Sequence, residues 1–156
     1  MESTNWIWGL SLIVLTLVIH ATGVAGMALA MQSIRIRLER RNPGLRDVFA
    51  ILIGSIGALG MLLIVLLGIE SAVWAAAYLW LGALDSPEDA ILYSVDSMTT
   101  RGASGLILQH HWLMMGALEA ADGMLLFGIS TAFMFAVLQV FWPMFSKPLG
   151  TSRFLR

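Results

Sequence analysis

The sequence has no cysteine, which removes disulfides, thiolate metal sites and thiol catalysis from consideration. Charge is scarce as well. Asp, Glu, Lys and Arg make up 12% of the 156 residues, against about 25% in a soluble domain. No nucleotide-binding loop, metal-ligand cluster or separate soluble domain can be found, and no nucleophile has a base and an orienting acid at usable spacing. No enzyme activity, cofactor, metal or nucleic-acid partner is therefore expected. What the chain has in abundance is apolar surface. Hydrophobic residues account for 58% of it, and its mean hydropathy is positive. Lipid is the expected solvent, with room for one membrane domain over residues 1–156.

A spanning helix needs about 20 apolar residues. Three stretches meet that length: 6–32, 48–80 and 112–142. The second contains one acid, Glu70, and the third is expected to end at Pro143. Ala28-Leu29-Ala30 mimics a signal-cleavage site, but no basic residue precedes the first apolar run, and the run is too long for a signal core. It is read as a retained span. Residues 33–47 carry five arginines against two acids and are expected to form a cytoplasmic loop. Arg35, Arg37, Arg40 and Arg41 would anchor it to anionic lipid heads. Three spans then put the N-terminus outside and the C-terminus in the cytoplasm of a plasma (inner) membrane. The basic tail residues Lys147, Arg153 and Arg156 agree with that orientation. Trp6, Trp8, Trp74, Tyr78, Trp80 and Trp112 would form the outer aromatic belt, and Trp142 the inner one. Small residues four apart, Thr22, Gly26 and Ala30, then Gly54 and Ala58, are expected to pack helices within one subunit rather than between subunits.

Residues 84–109 decide function. Asp85-Ser86-Pro87-Glu88-Asp89 is a strong helix start, with a cap, a proline at the first helical position and acids at the positive dipole end. The helix it opens has only about three turns, too short to cross. It gives way to Thr99-Thr100-Arg101-Gly102-Ala103-Ser104-Gly105, which has no helical pattern. Such backbone cannot face lipid and must be buried in protein or line water. A pore loop meets that requirement; a surface loop is the plainer alternative.

The run from Tyr93 through Gly105 resembles the pore helix and filter of the potassium-channel superfamily, whose pattern reads roughly (W/Y)-S-V-E-T-x-T-T-V-G-Y-G-D. Trp112 falls where those channels carry a tryptophan at the start of the inner helix. Gly123 and the run Phe127-Gly128-Ile129-Ser130-Thr131-Ala132 resemble that helix's glycine hinge and its F-G-x-x-T-A stretch, with a one-residue gap. The likeness covers about 60 residues in order and spacing. It implies an all-α membrane protein with three transmembrane helices plus a re-entrant pore helix and filter loop per subunit. It also implies a homotetramer around one axis, conducting inorganic ions among membrane lipids.

The filter departs from the family. Arg101 replaces an aliphatic residue, Ala103 the tyrosine, Ser104 the second glycine and Gly105 the aspartate. Inward carbonyls need backbone conformations that glycine adopts cheaply, so potassium selectivity is not expected, and anion or weakly selective conduction is favoured. Arg101 either pairs with Asp96 behind the filter or turns inward to form an arginine ring. The first would leave room for a potassium or other cation channel. A non-conducting subunit with a sealed pore is a further alternative. Glu70 and Glu119 are expected, with Asp96, to support the filter through partners. Asp122 is open between such a role and lining the pore with Gly123 and Ser130. His20 is read as a satisfied buried histidine, and His110 and His111 as solvated. Met114, Met115, Met124 and Met134 are read as lipid-facing filler. No lysine or arginine recurs at three-residue spacing within a span, so no voltage sensor is expected.

Overall fold

The computed structural model describes residues 2–41, 44–102 and 105–145. Four α-helices account for nearly all of them: α1 Glu2–Arg41, α2 Leu45–Trp80, α3 Pro87–Met98 and α4 Leu113–Phe145, with one 3-10 turn at His110–Trp112. There is no strand among the described residues. Helices α1, α2 and α4 have 40, 36 and 33 residues, which at the α-helical rise is about 50–60 Å each. All three are long and apolar enough to cross a membrane.

The basic segment 33–41 is not the loop expected from its arginines. It continues α1 to Arg41, and α2 starts at Leu45. Arginine, leucine and glutamate are good helix formers, and Arg35 Nε lies 2.9 Å from Glu39 Oε1 one turn on, a pairing that supports an exposed helix modestly. Helix α4 likewise runs two residues past Pro143, to Phe145. The tail basics Lys147, Arg153 and Arg156 lie outside the described residues.

Each long helix is apolar nearly all round, so what faces inward is marked by other residues. On α1 the buried positions include Asn5, Leu12, Thr16, His20, Met27 and Met31, spaced by four or seven. On α2 they include Leu52, Ser55, Leu59, Leu66, Glu70, Trp74 and Tyr78, and on α4 Met115, Glu119, Asp122, Leu126, Phe133, Val137 and Phe141. These stripes pack α1 against α4 and α2. Ile7, Val14, Val18, Ile53 and Phe135 point outward and are more than half exposed, as lipid-facing side chains would be.

The small-residue stripes do not pack inside the subunit. Thr22, Gly26, Ala30, Gly54 and Ala58 are all exposed, and a Cβ added at Gly26 or Gly54 would meet open space. The helices approach closely elsewhere. Gly9 takes Leu118 and Gly23 takes Leu66, while on α4 Gly116 faces the Tyr93 hydroxyl and Gly123 faces the Met98 backbone. Spacing alone does not say which face a small residue occupies, and here the approaching glycines lie on the buried stripes.

The short helix α3 is laid between α2 and α4. Ser86 caps it, its side chain accepting from Asp89 N–H at 3.4 Å, and Pro87 occupies the first turn. Ala90, Tyr93, Ser94, Asp96, Ser97 and Met98 are buried, while Ile91, Leu92 and Val95 remain exposed. Its far end meets Gly123, ten residues into α4 from Leu113, or about 15 Å along that helix. Helix α3 thus descends part-way down the bundle, and the chain then returns to the end it came from.

Any side chain at Gly123 must displace Met98 backbone. Gly123→Ala is expected to lower stability by about 1–3 kcal/mol through overpacking, whereas Gly54→Ala should be neutral or slightly stabilising. Thermal unfolding of the purified variants in detergent would show the contrast.

Candidate functional site

Helix α3 stops by a specific hydrogen-bond pattern. Thr99 is the C-cap. Thr100 N–H donates to the Ser97 carbonyl at 2.9 Å, and Arg101 N–H donates to the Asp96 carbonyl at 3.0 Å. Those two bonds are the pair that defines a Schellman ending, which needs a left-handed residue just after the cap. That residue is Thr100, with φ 57°. A β-branched side chain is unusual there, and the left-handed conformation costs roughly 1–2 kcal/mol for a residue with a Cβ. Glycine supplies the next two turns of the loop, Gly102 at φ 81° and Gly105 at φ 83°.

Of the seven candidate filter residues, Thr99, Thr100, Arg101, Gly102 and Gly105 are exposed; Ala103 and Ser104 lie outside the described residues. Arg101 Nε is 3.2 Å from Asp96 Oδ1. The carboxylate side chain is 3% exposed and the arginine 65%, so the pair joins a buried acid to a base at the surface of the subunit. Asp96 therefore serves the loop twice, through its carbonyl to Arg101 N–H and through its carboxylate to the same residue's side chain.

Beneath this turn lies a partly open cavity of about 620 Å³. Thr99 and Thr100 border it above, Gly123 and Ser130 on α4, Ile64 and Leu67 on α2, and His20 on α1. Gly123 and Ser130 thus line the space under the loop. Gly123 is also the contact point for α3, which the resemblance to a hinge did not suggest. Asp122 does not line that space. It is 1% exposed and turned into the subunit, where Oδ2 accepts from Trp74 Nε1 at 3.0 Å and contacts Thr16 Oγ1 at 2.7 Å. Three residues on a helix turn through about 300°, so Asp122 shares the buried face with Glu119, while Gly123, one residue on, reaches the cavity.

The other two acids are held by side chains as well. Glu119 is fully buried, with Oε2 accepting from the Tyr78 hydroxyl at 2.8 Å and Oε1 hydrogen-bonded to Ser94 Oγ. Ser94 also reaches the Ser71 carbonyl at 2.8 Å, and Ser97 Oγ donates to the Gly116 carbonyl at 3.1 Å. Glu119 thereby ties α3 to α2 and α4. Glu70 is hydrogen-bonded to α1 rather than to α3. Its Oε1 is 2.9 Å from His20 Nδ1, and His20 Nε2 is 3.1 Å from Ser130 Oγ. His20 is thus bonded at both ring nitrogens. His110 and His111 are exposed, and the His111 carbonyl accepts from Asn5.

Trp74 and Tyr78 are not in an aromatic belt. Both are fully buried, and each supplies the donor that holds an acid of α4. Trp6 and Trp80 remain exposed at 44% and 73%, with Trp80 edge-on to Trp8 at 5.1 Å. Met115 is likewise fully buried, whereas Met114 and Met124 are exposed. Thr16, Ser71 and Ser94 are partners the sequence reading did not select, and Trp74 and Tyr78 are donors it assigned to the aromatic belt instead. The signal for them was present: Thr16 and His20, then Glu70, Trp74 and Tyr78, recur four apart within otherwise apolar spans, which places them on one helical face.

Replacing Thr100 by glycine removes the left-handed strain while keeping both capping bonds. Thr100→Gly is expected to raise stability by up to about 1 kcal/mol, less than the full strain because glycine is freer when unfolded. Unfolding of the variant beside wild type checks this; a loss of stability would mean the threonine side chain is needed in the turn.

No family model, curated protein or solved structure matches this chain, so the site must be argued from its own geometry.

Proposed function

We propose that the chain is one subunit of a homotetrameric pore-loop ion channel, with three membrane spans and α3 as a re-entrant pore helix. The observation that carries this reading is the placement of α3. A capped helix of 12 residues ends about 15 Å down α4, releases a polar loop, and leaves a threonine-bordered cavity directly beneath it. A helix of that length cannot cross a membrane, and an irregular loop at its end needs water or protein around it. Four such loops around an axis would give one continuous path. The spans would sit in a plasma (inner) membrane, with the Arg35–Arg41 end of α1 cytoplasmic.

Conduction is expected to be weakly selective or to favour anions. The loop of each subunit presents an exposed arginine near the path, and the left-handed turn at Thr100 departs from an extended filter strand. Four positive side chains oppose cation entry, and the paired Asp96 offsets only part of that field because it is buried behind the loop. The Arg101–Asp96 pair itself favours a second reading, in which the arginine stays tucked and cations pass.

Planar-bilayer recording from the purified protein under a KCl gradient separates these. A reversal potential between zero and the chloride value is expected for wild type. A value near the potassium potential would select the second reading, and a complete absence of flux would leave a sealed subunit. Arg101→Gln should move the reversal potential toward potassium, because it removes the positive charge and leaves Asp96 unneutralised.

A further inference from the structure

The acids in the core of the bundle outnumber the bases facing them. Glu70 on α2 and Glu119 and Asp122 on α4 are each at most 1% exposed, and Asp122 lies within electrostatic reach of both glutamates. Among the described residues no lysine or arginine is buried. The titratable groups facing the three acids are His20 from α1, Tyr78 from α2 and Tyr93 from α3. Only His20 can supply a positive charge. Three carboxylates against one imidazolium would leave two negative charges in an apolar core, an arrangement that membrane-embedded groups avoid by finding partners or protons.

The hydrogen bonds point the same way independently. Ser94 Oγ touches two acceptors, the Ser71 carbonyl and Glu119 Oε1. One hydroxyl has one proton to give. If it goes to the carbonyl, the contact with Glu119 holds only when Glu119 is itself the donor. Thr16 Oγ1 poses the same problem between the Leu12 carbonyl at 2.9 Å and Asp122 Oδ2 at 2.7 Å. In addition, Glu70 Oε2 and Asp122 Oδ1 are buried carboxylate oxygens with no hydrogen-bond partner, which leaves a full negative charge on either group poorly satisfied. No three of the His, Asp and Glu side chains among the described residues meet at metal-ligand spacing.

We propose that Glu70, Glu119 and Asp122 form an intramembrane proton-binding site, holding two protons beyond the one shared by Glu70 and His20. Exchange with the cavity beneath α3 runs through His20 and Ser130, which are hydrogen-bonded to each other and both line it. The site stands apart from conduction, since it requires only the interior of one subunit.

Infrared spectroscopy of the full chain in liposomes tests this directly. At neutral pH the wild type is expected to show the carbonyl stretch of protonated carboxylic acids, shifted down in heavy water, after all surface acids have ionised. Glu119→Gln and Glu70→Gln should each remove part of that band. Ser130→Ala should leave the band in place and slow its isotope shift. A wild-type spectrum without protonated carboxyl at neutral pH overturns the site, even where a variant proves too unstable to compare. A band untouched by both glutamine variants overturns the assignment to these residues, and an unchanged exchange rate in Ser130→Ala overturns the route through the cavity.

Discussion

The fold depends on how buried carboxyl groups are satisfied in a chain whose surroundings are hydrocarbon. Two apolar helices gain nothing by burying leucine against each other when lipid tails are equally apolar. Specific contacts must then come from close packing and hydrogen bonds. Glu119 is the central case. Through Tyr78 it binds α2 and through Ser94 it binds α3, and one turn along, Asp122 binds α2 through Trp74 and α1 through Thr16. Two side chains on one face of α4 thus hold the other three helices. An unmade bond to a buried charged or polar group costs several kcal/mol, so each of these contacts penalises any other arrangement of the helices more than it adds net stability.

That polar core also fixes the position of α3. Ser94 and Ser97 sit on the face turned inward and bond to Ser71, Glu119 and Gly116. Met98 then comes to rest where Gly123 leaves no side chain in the way. The loop begins at a height set by those contacts, and its first turn is locked by the two capping bonds and the Arg101–Asp96 pair. Thr100 can be held left-handed because the surrounding bonds over-determine it. The face of α3 with Ile91, Leu92 and Val95 stays exposed.

The extent to which this was legible in the sequence follows from the same physics. The three spans were readable because length and apolarity alone define them. The start of α3 was readable because Ser86 and Pro87 are local signals that need no tertiary context. The reach of α1 through its arginines was not, because charge composition reports which residues avoid the hydrocarbon and says nothing of whether the backbone stays helical. Trp74 and Tyr78 misled for a related reason. An amphipathic aromatic suits a membrane boundary and a buried hydrogen bond equally well, and only its spacing from Glu70 along α2 separates the two. Of the candidate site, the Arg101–Asp96 partnership was one of two expectations for Arg101, and it came from the resemblance of Asp96 to the acid behind a pore-loop filter. The strain at Thr100 could not be anticipated, because nothing in Thr-Thr-Arg-Gly says which residue takes the turn.

The placement of the charges has a final consequence for any path along the subunit. Asp96 offsets part of the Arg101 charge at the loop, while Glu70, Glu119 and Asp122 are turned inward, held by aromatic, hydroxyl and imidazole groups. The cavity wall itself carries hydroxyls from Thr99, Thr100, Ser130 and Thr131 and one imidazole, set among apolar side chains. It offers no ring of exposed carboxylates to concentrate cations. A wall of hydroxyls hydrates ions of either sign without choosing between them, so under the channel reading proposed above discrimination falls to the loop. There the one group whose charge can be turned toward or away from the path is the guanidinium of Arg101, on a side chain long enough to do either while its backbone stays fixed by Asp96.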